Sequence, residues 1–292
     1  MSKSLIIGNY LTGIRMRAER RRAWVIGIIA IAVSVVVFLV PFSFVLLQAA
    51  KSPAEASSLS YSWPSKWQFF QNLSATLASN DGMLVRALIN STVLTVGSLT
   101  LMVIISAMVG YVLARKQSRW NPVVNFFVLA GLIVPPAVVP TIWVLQGLQL
   151  FGTMAGMILI ETTFGLSFCI LLFRAFVGSV PRELDEAAVL DGTGPITLFT
   201  RIVLPLLRPV IVTVIVVQAV FVFNDFAFPL YFLPGDQNVT AQLALYTFSG
   251  QSLSFYNLLF MAIFLITIPP LVGYIFFNRQ IVGGITAGAV KG

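Results

Sequence analysis

The chain is dominated by long apolar runs that carry almost no charge. The first, from Trp24 to Leu47, contains no Asp, Glu, Lys or Arg. About 20 such residues cross the hydrocarbon of a bilayer as a helix, and at that depth only helices and closed barrels satisfy their own backbone groups. Further runs cover 88–113, 122–144, 154–173, 210–228 and 258–277. The chain is 58% hydrophobic and only 10% charged, whereas soluble domains carry about a quarter charged residues. The expected fold class is therefore all-α, a polytopic membrane protein of about six transmembrane helices. Residues 24–277 read as one membrane domain, between an amino-terminal segment 1–23 and a tail 278–292. The sequence has no internal repeat and no low-complexity tract.

Arg15, Arg17, Arg20, Arg21 and Arg22 precede the first run. A signal peptide has an apolar core of about 7–15 residues, and this run is longer, so an uncleaved anchor is expected. Of the 18 basic residues, only Lys51, Lys66 and Arg86 fall on one side of the expected topology. The rest lie in the amino-terminal segment, around Arg115, Lys116 and Arg119, between Arg174 and Arg208, and in the tail. By the positive-inside rule both termini of this multi-pass protein are expected to be cytoplasmic. The anionic lipid surface attracts the first arginines.

The net charge of +8 can signal nucleic acid, but these basic residues flank apolar spans, so no nucleic-acid partner is expected. The sequence has no histidine and one cysteine, Cys169, which excludes an intrachain disulfide, a thiol metal site and the usual general base. It contains no GxxxxGK[ST] phosphate loop, carboxylate pair or nucleophile–base set. No catalytic residue, metal ligand or bound cofactor is expected.

Chemistry concentrates in the polar loop before the fifth run, about 178–208. Pro181 suits a first helical turn, and Glu183, Asp185 and Glu186 suit the positive end of a helix dipole. Asp191-Gly192 reads as a helix stop, because glycine accepts the left-handed conformation. A second helix follows, presenting Ile196, Phe199, Ile202 and Val203 at helical spacing. Pro205 and Pro209 are expected to kink the chain as it re-enters the bilayer. Small Ala187 and Ala188 allow close approach of another protein, and Glu186 offers it a charge.

Glu186-Ala187-Ala188, three residues, Gly192, nine residues, then Ile202, Leu204 and Pro205 resembles the EAA signature of membrane subunits of binding-protein-dependent ABC importers. The tail GGITAGAVKG (283–292), FNDFAFPLYFL (223–233) and NSTVLTVGS (90–98) resemble the maltose-transporter-type second permease subunit of carbohydrate importers. The resemblance covers the chain from the first run onward.

The resemblance implies a type I importer fold whose first loop helix is the coupling helix, docking in a cleft of a separate ATPase through Glu186, Ala187, Ala188, Asp191, Gly192, Ile202, Leu204 and Pro205. It implies that tail residues Thr286, Ala287, Gly288, Ala289, Val290, Lys291 and Gly292 touch the ATPases. The partners implied are a second homologous permease subunit, two ATP-binding subunits that hold ATP and Mg, and an extracytoplasmic solute-binding protein. The solute the resemblance implies is a sugar, or a related polyol or glycerol phosphate, moved across the bacterial inner membrane by alternating access. An importer of a non-sugar solute and an ion-coupled carrier are the other readings.

Within the membrane, Glu161 is a functional-site candidate, because carboxylates at that depth are costly; an interfacial position is the other reading. Asn224, Asp225 and Phe226 at the end of the fifth run complete the candidate translocation-pathway set. The aromatics Phe221, Phe223, Phe226, Phe228 and Tyr231 fit an interfacial belt; stacking on sugar rings is the other reading. Arg174 is expected to snorkel. Val134-Pro135-Pro136 implies a broken helix, tolerated where it lines a cavity.

Overall fold

The computed structural model describes residues 22–251 and 255–289, with 278–289 as backbone. Its elements are helical. Helix α1 (Arg22–Ala49) is the first apolar run. A π-turn, Val35–Leu39, interrupts it just before Pro41, whose missing N–H and bulky ring disrupt the α-helical ladder. None of its most apolar stretch is buried within the chain; only its last turns pack, against the final helix.

The polar stretch that follows folds into short helices α2 (Pro53–Ala56) and α3 (Phe69–Ala78). Ser52 and Glu55 form a capping box on α2. Hydrogen bonds from Ser65 and Ser52 hold the half-buried Glu55 carboxyl below its ordinary range. Asn72 on α3 ties this end together. Its amide donates to the carbonyls of Ala49 and Lys51, both at 2.8 Å, and its Oδ1 accepts from Asn257 on the last helix. Lys51, whose position in the sequence makes it a loop charge, is buried. Its ammonium donates to the Ser60 carbonyl at 2.6 Å.

Left-handed Asn80, Asp81 and Gly82 turn the chain into α4 (Met83–Arg115). At 1.5 Å per residue, α4 is about 50 Å long and exceeds the hydrocarbon thickness. Its partner is α7 (Met154–Ser179). The two helices form the most extensive contact in the fold. Without a hydrophobic drive between helices in lipid, such a seam depends on small residues and on hydroxyls that cap their own carbonyls. α4 supplies buried Thr95, Ser98, Ser106 and Gly110, whereas its Ser91 accepts from the nitrogen of Ala241. Ser106 Oγ donates to Met102 O, and Thr162 on α7 donates to Ile158 O. A Cβ on Gly110 would lie 2.7 Å from the Phe173 Cβ and 2.9 Å from the Arg174 nitrogen, so only glycine lets the backbones meet there.

The third apolar run is not a straight span. α5 (Asn121–Ile133) and α6 (Val138–Gly147) meet at 119° across Val134-Pro135-Pro136-Ala137. α5 starts beside Lys116, to whose carbonyl Asn121 donates, and climbs along α7 through Asn125–Arg174 (2.6 Å) and Val128–Ile170 contacts. Thirteen residues reach about 20 Å, so α5 stops near the middle of α7. Arg174 is thus tied to Asn125 rather than left to snorkel. The chain regains the opposite end at Gly152, whose nitrogen donates to Phe232 O and whose carbonyl accepts from Asn238.

After the loop helices α8 (Glu183–Leu190) and α9 (Pro195–Leu206), α10 (Arg208–Asn224) re-enters at 72° to α9. α11 (Ala227–Phe232), α12 (Ala241–Gln251) and α13 (Tyr256–Ala289) complete the chain. α12 was not expected from the sequence. It packs Leu243, Ala244 and Phe248 against the start of α4 and against Ala262 and Ile266 of α13. The last helix runs unbroken from the sixth apolar run through Ala289, past Pro269 and Pro270.

Replacing Asn72 with alanine removes three buried hydrogen bonds and strands the carbonyls and the Asn257 amide. At about 1–3 kcal/mol for each buried group left unsatisfied, the expected result is a clear drop in the melting temperature of the detergent-solubilised protein. An unchanged melting temperature would remove Asn72 as a fastener of the two terminal spans.

Candidate functional site

Two regions collect the residues singled out in the sequence. The first is the loop between α7 and α10. Pro181 precedes α8 rather than sitting in it, and Glu183, Asp185 and Glu186 occupy its first turn. Asp191 caps its end and Gly192 follows at φ 76°. Gly192 N donates to Val189 O and Thr193 N to Ala188 O, both at 3.0 Å, a bond pair that satisfies the last carbonyls and turns the chain sharply. α9 then contains a π-turn, Leu198–Val203, ahead of Pro205. The bend itself falls at Leu207-Arg208, with Pro209 in the first turn of α10.

The EAA residues divide between two faces. Glu186 and Ala187 are exposed, whereas Ala188 is buried in the same core as Leu198, Val203 and Leu207. Ile202 and Leu204 pack against that core, and Pro205 is exposed. Ala188 therefore holds the two loop helices together and offers little surface to another protein. Leu190 and Ile196, on either side of the glycine turn, are 88% and 78% exposed. Such apolar exposure beside Glu186 marks an interaction surface.

The loop is fastened to α4 by contacts the sequence reading did not find. Arg115 Nε lies 2.8 Å from Asp185 Oδ2, in an ion pair whose side chains are only 9% and 15% exposed. Arg115 also donates to Val180 O at 2.9 Å, and Arg182 reaches back to Ala114 O at 3.4 Å. The Tyr111 ring packs on Phe199, with centroids 5.6 Å apart. In the sequence Arg115 is one of several span-end charges, and nothing there marks Asp185 as its partner. Beside this junction an apolar cavity of about 1340 Å³ opens between the lower part of α4 and α9, lined by Ile104, Met108, Leu190 and Ile196 among others.

The second region is a cavity of about 710 Å³ between α7 and α10. Glu161, Asn224 and Asp225 all line it, although Glu161 is distant from the other two in sequence. Glu161 is buried and its carboxyl faces that of Asp225. Asp225 also caps α11, accepting from the nitrogens of Ala227 at 2.9 Å and Phe228 at 3.3 Å. Phe226 stands apart, packed on Tyr246 at 5.3 Å in the α12 cluster. Gln218 and Phe164 line the cavity without having been singled out, and Phe221 and Phe228, expected in an interfacial belt, line it too. The amide of Gln218 donates to the sulfur of buried Cys169 at 3.3 Å. Among the described residues no group of three or more His, Cys, Asp or Glu side chains is arranged to hold a metal ion.

Of the tail positions, Thr286, Ala287, Gly288 and Ala289 form the end of α13, and Val290, Lys291 and Gly292 lie outside the described residues.

A polytopic helical membrane protein with a paired-helix loop clamped to one end of its longest span is the class these features define. Residues 102–282 match the family described as binding-protein-dependent transport system inner membrane component, and the chain belongs to it. The diacetylchitobiose uptake system permease protein NgcG of Streptomyces coelicolor is 32% identical over 279 residues, covering 94% of this chain and 91% of that one. The melibiose/raffinose/stachyose import permease protein MelC of Bacillus subtilis is 29% identical over 285 residues, covering 95% and 100%. The fold is that of a chain in a bacterial ABC transporter involved in import of the acidic polysaccharide alginate. That match has a TM-score of 0.77 at 17% identity and spans 89% of this chain and 97% of the other.

Removing one partner of a buried ion pair costs about 3–5 kcal/mol. The slight exposure of Arg115 and Asp185 places Asp185→Ala at the low end. Hydrogen exchange should accelerate across 183–206, and the exchanged double variant R115D/D185R should recover part of the protection. Unchanged exchange in D185A would show that the pair does not hold the loop.

Proposed function

We propose that the chain is one of two permease subunits of an ABC importer for a sugar, an oligosaccharide or a related polyol or glycerol phosphate. The named solutes of its relatives support the sugar class. Both termini and the α8–α9 loop lie in the cytoplasm in this reading, which follows from the basic residues at that end.

The observation that carries the mechanism is the two-sidedness of α8–α9. One side presents Ala187 outward, and exposed Glu186, Leu190 and Ile196 border the open cavity beside α4. The other side is pinned to α4 by the Arg115–Asp185 pair. An ATPase that grips the outer side pulls on α4 through a short, partly buried link. The α4–α7 seam carries that displacement toward the cavity holding Glu161, Asn224 and Asp225, which we assign to the translocation pathway. The break at 134–137 is exposed on this chain. Irregular backbone at membrane depth is stable only against water or protein, so it faces the pathway or the second permease.

ATP and Mg²⁺ belong to two separate ATPase subunits, and this chain has no catalytic role. The ATPases close on ATP, α8–α9 moves with them, and the cavity turns from inward to outward to receive solute from an extracytoplasmic binding protein. Hydrolysis then resets it. The tail 286–292 makes a second ATPase contact.

Glu186→Lys reverses an exposed charge on this loop. The expected outcome is normal membrane insertion with weakened ATPase co-purification and loss of ATP-driven uptake in proteoliposomes, by tenfold or more. Unimpaired uptake in that variant, or uptake by the wild type without an ATPase, would overturn the coupling role.

A further inference from the structure

The 710 Å³ cavity carries more information than its place on a pathway. Ligand pockets of about 300–1,000 Å³ are mostly apolar with a few converging polar groups, and this cavity has that make-up. Its polar groups are Glu161, Asp225, Asn224 and Gln218, and among the described residues no Lys or Arg lines it.

Glu161 is only 6% exposed, lines the cavity and faces the Asp225 carboxyl. The neighbours are already committed. Both oxygens of Asp225 cap α11, Gln218 donates to Cys169, and Asn224 Oδ1 accepts from Gln242 at 3.1 Å. Asp225 is thereby held in position, with its second lone pairs free to accept. Beside them Phe164 and Phe228 stack at 4.7 Å, 25° from parallel, and present an apolar ring surface. Phe221, 68% exposed, stands on the same cavity wall.

We infer that this cavity is a contact subsite for an uncharged, hydroxyl-rich solute, in which Glu161 and Asp225 accept hydroxyl hydrogen bonds and the Phe164–Phe228 pair covers the apolar face of a ring. The inference rests on the transport reading above and narrows it. A carboxyl accepts from a hydroxyl whether or not it carries a proton. An anionic solute, by contrast, would meet two carboxyls and no cation in a low-dielectric site, where like charges repel strongly. Within the proposed solute class, glycerol phosphate and acidic sugars are therefore disfavoured and neutral oligosaccharides favoured. The subsite also gives this subunit its own contact with the solute.

The test uses the assembled importer in proteoliposomes with labelled raffinose, N,N′-diacetylchitobiose, maltotriose and anionic digalacturonate. ATP-driven uptake is expected for at least one neutral sugar and not for digalacturonate. Glu161→Leu should raise the uptake KM for that sugar tenfold or more, whereas Glu161→Gln, which keeps an acceptor, should stay within threefold. Should Glu161→Leu fail to assemble, Phe221→Cys provides a second measurement. The lone native cysteine, Cys169, is 0% exposed, so a methanethiosulfonate reagent reports on position 221. The transported neutral sugar should slow its labelling, and digalacturonate should not. Uptake of digalacturonate, an unchanged KM in Glu161→Leu, labelling indifferent to sugar, or a sodium requirement pointing to a cation between the carboxyls would each overturn the subsite. No ATP-driven uptake of any probe by the wild type would instead overturn the transport reading beneath it.

Discussion

The seam between α4 and α7 is the constraint on which the rest of the structure depends. It is built from small and hydroxyl residues, with Gly110 set against the backbone of Phe173 and Arg174. In lipid, close packing of this kind replaces the hydrophobic drive that holds soluble helices together. Every functional feature hangs from the seam. At one end Arg115 holds Asp185 and hence the two loop helices. Further along, Met102 on α4 and Glu161 and Gly165 on α7 form one wall of the 710 Å³ cavity. A rigid pair running from loop to cavity is what a chain needs if work done on the loop is to reach the solute.

Around that rigid pair the other elements bend. The α5–α6 turn of 119° and the α9–α10 turn of 72° both lie at proline-bearing stretches. α1 leaves the body with its apolar surface uncovered by the other described residues. Uncovered apolar helix is at home in lipid, but the exposed backbone at 134–137 is not. That contrast separates a surface that lipid can satisfy from one that requires water or protein.

Much of this was legible in the sequence, because length and apolarity alone decide whether a run can cross a bilayer. The runs now in α1 and α4 lie within a few residues of the observed bounds, and those in α7 and α13 match the starts, although both helices run on past the expected ends to Ser179 and Ala289. The loop was legible down to its glycine turn, since Asp191-Gly192 carries a local conformational signal. The folding back of the third run was not. Prolines 135 and 136 announce a break, but a straight and a folded apolar run have the same composition. The short, mixed sequence of α12 carries no span signal. The burial of Lys51 and the pairing of Arg115 with Asp185 depend on contacts between distant segments, which no spacing rule reports. Ala188 shows a subtler gap: its small size fitted a docking surface as well as it fits the tight interior contact it makes. Glu161 and Asp225 were recognisable singly, as carboxylates in apolar runs, and their meeting on one cavity appears only in the fold.

The central claim is that force applied to α8–α9 reaches the cavity through the Arg115–Asp185 link. The most direct measurement is the thiol-labelling rate of Val220→Cys on the cavity wall, in the assembled importer, with and without ATP. The account predicts a rate that changes with ATP in the otherwise native chain, and one that no longer responds when Asp185 is also replaced by alanine although the ATPases remain bound. An ATP response that persists undiminished with the link removed would contradict it.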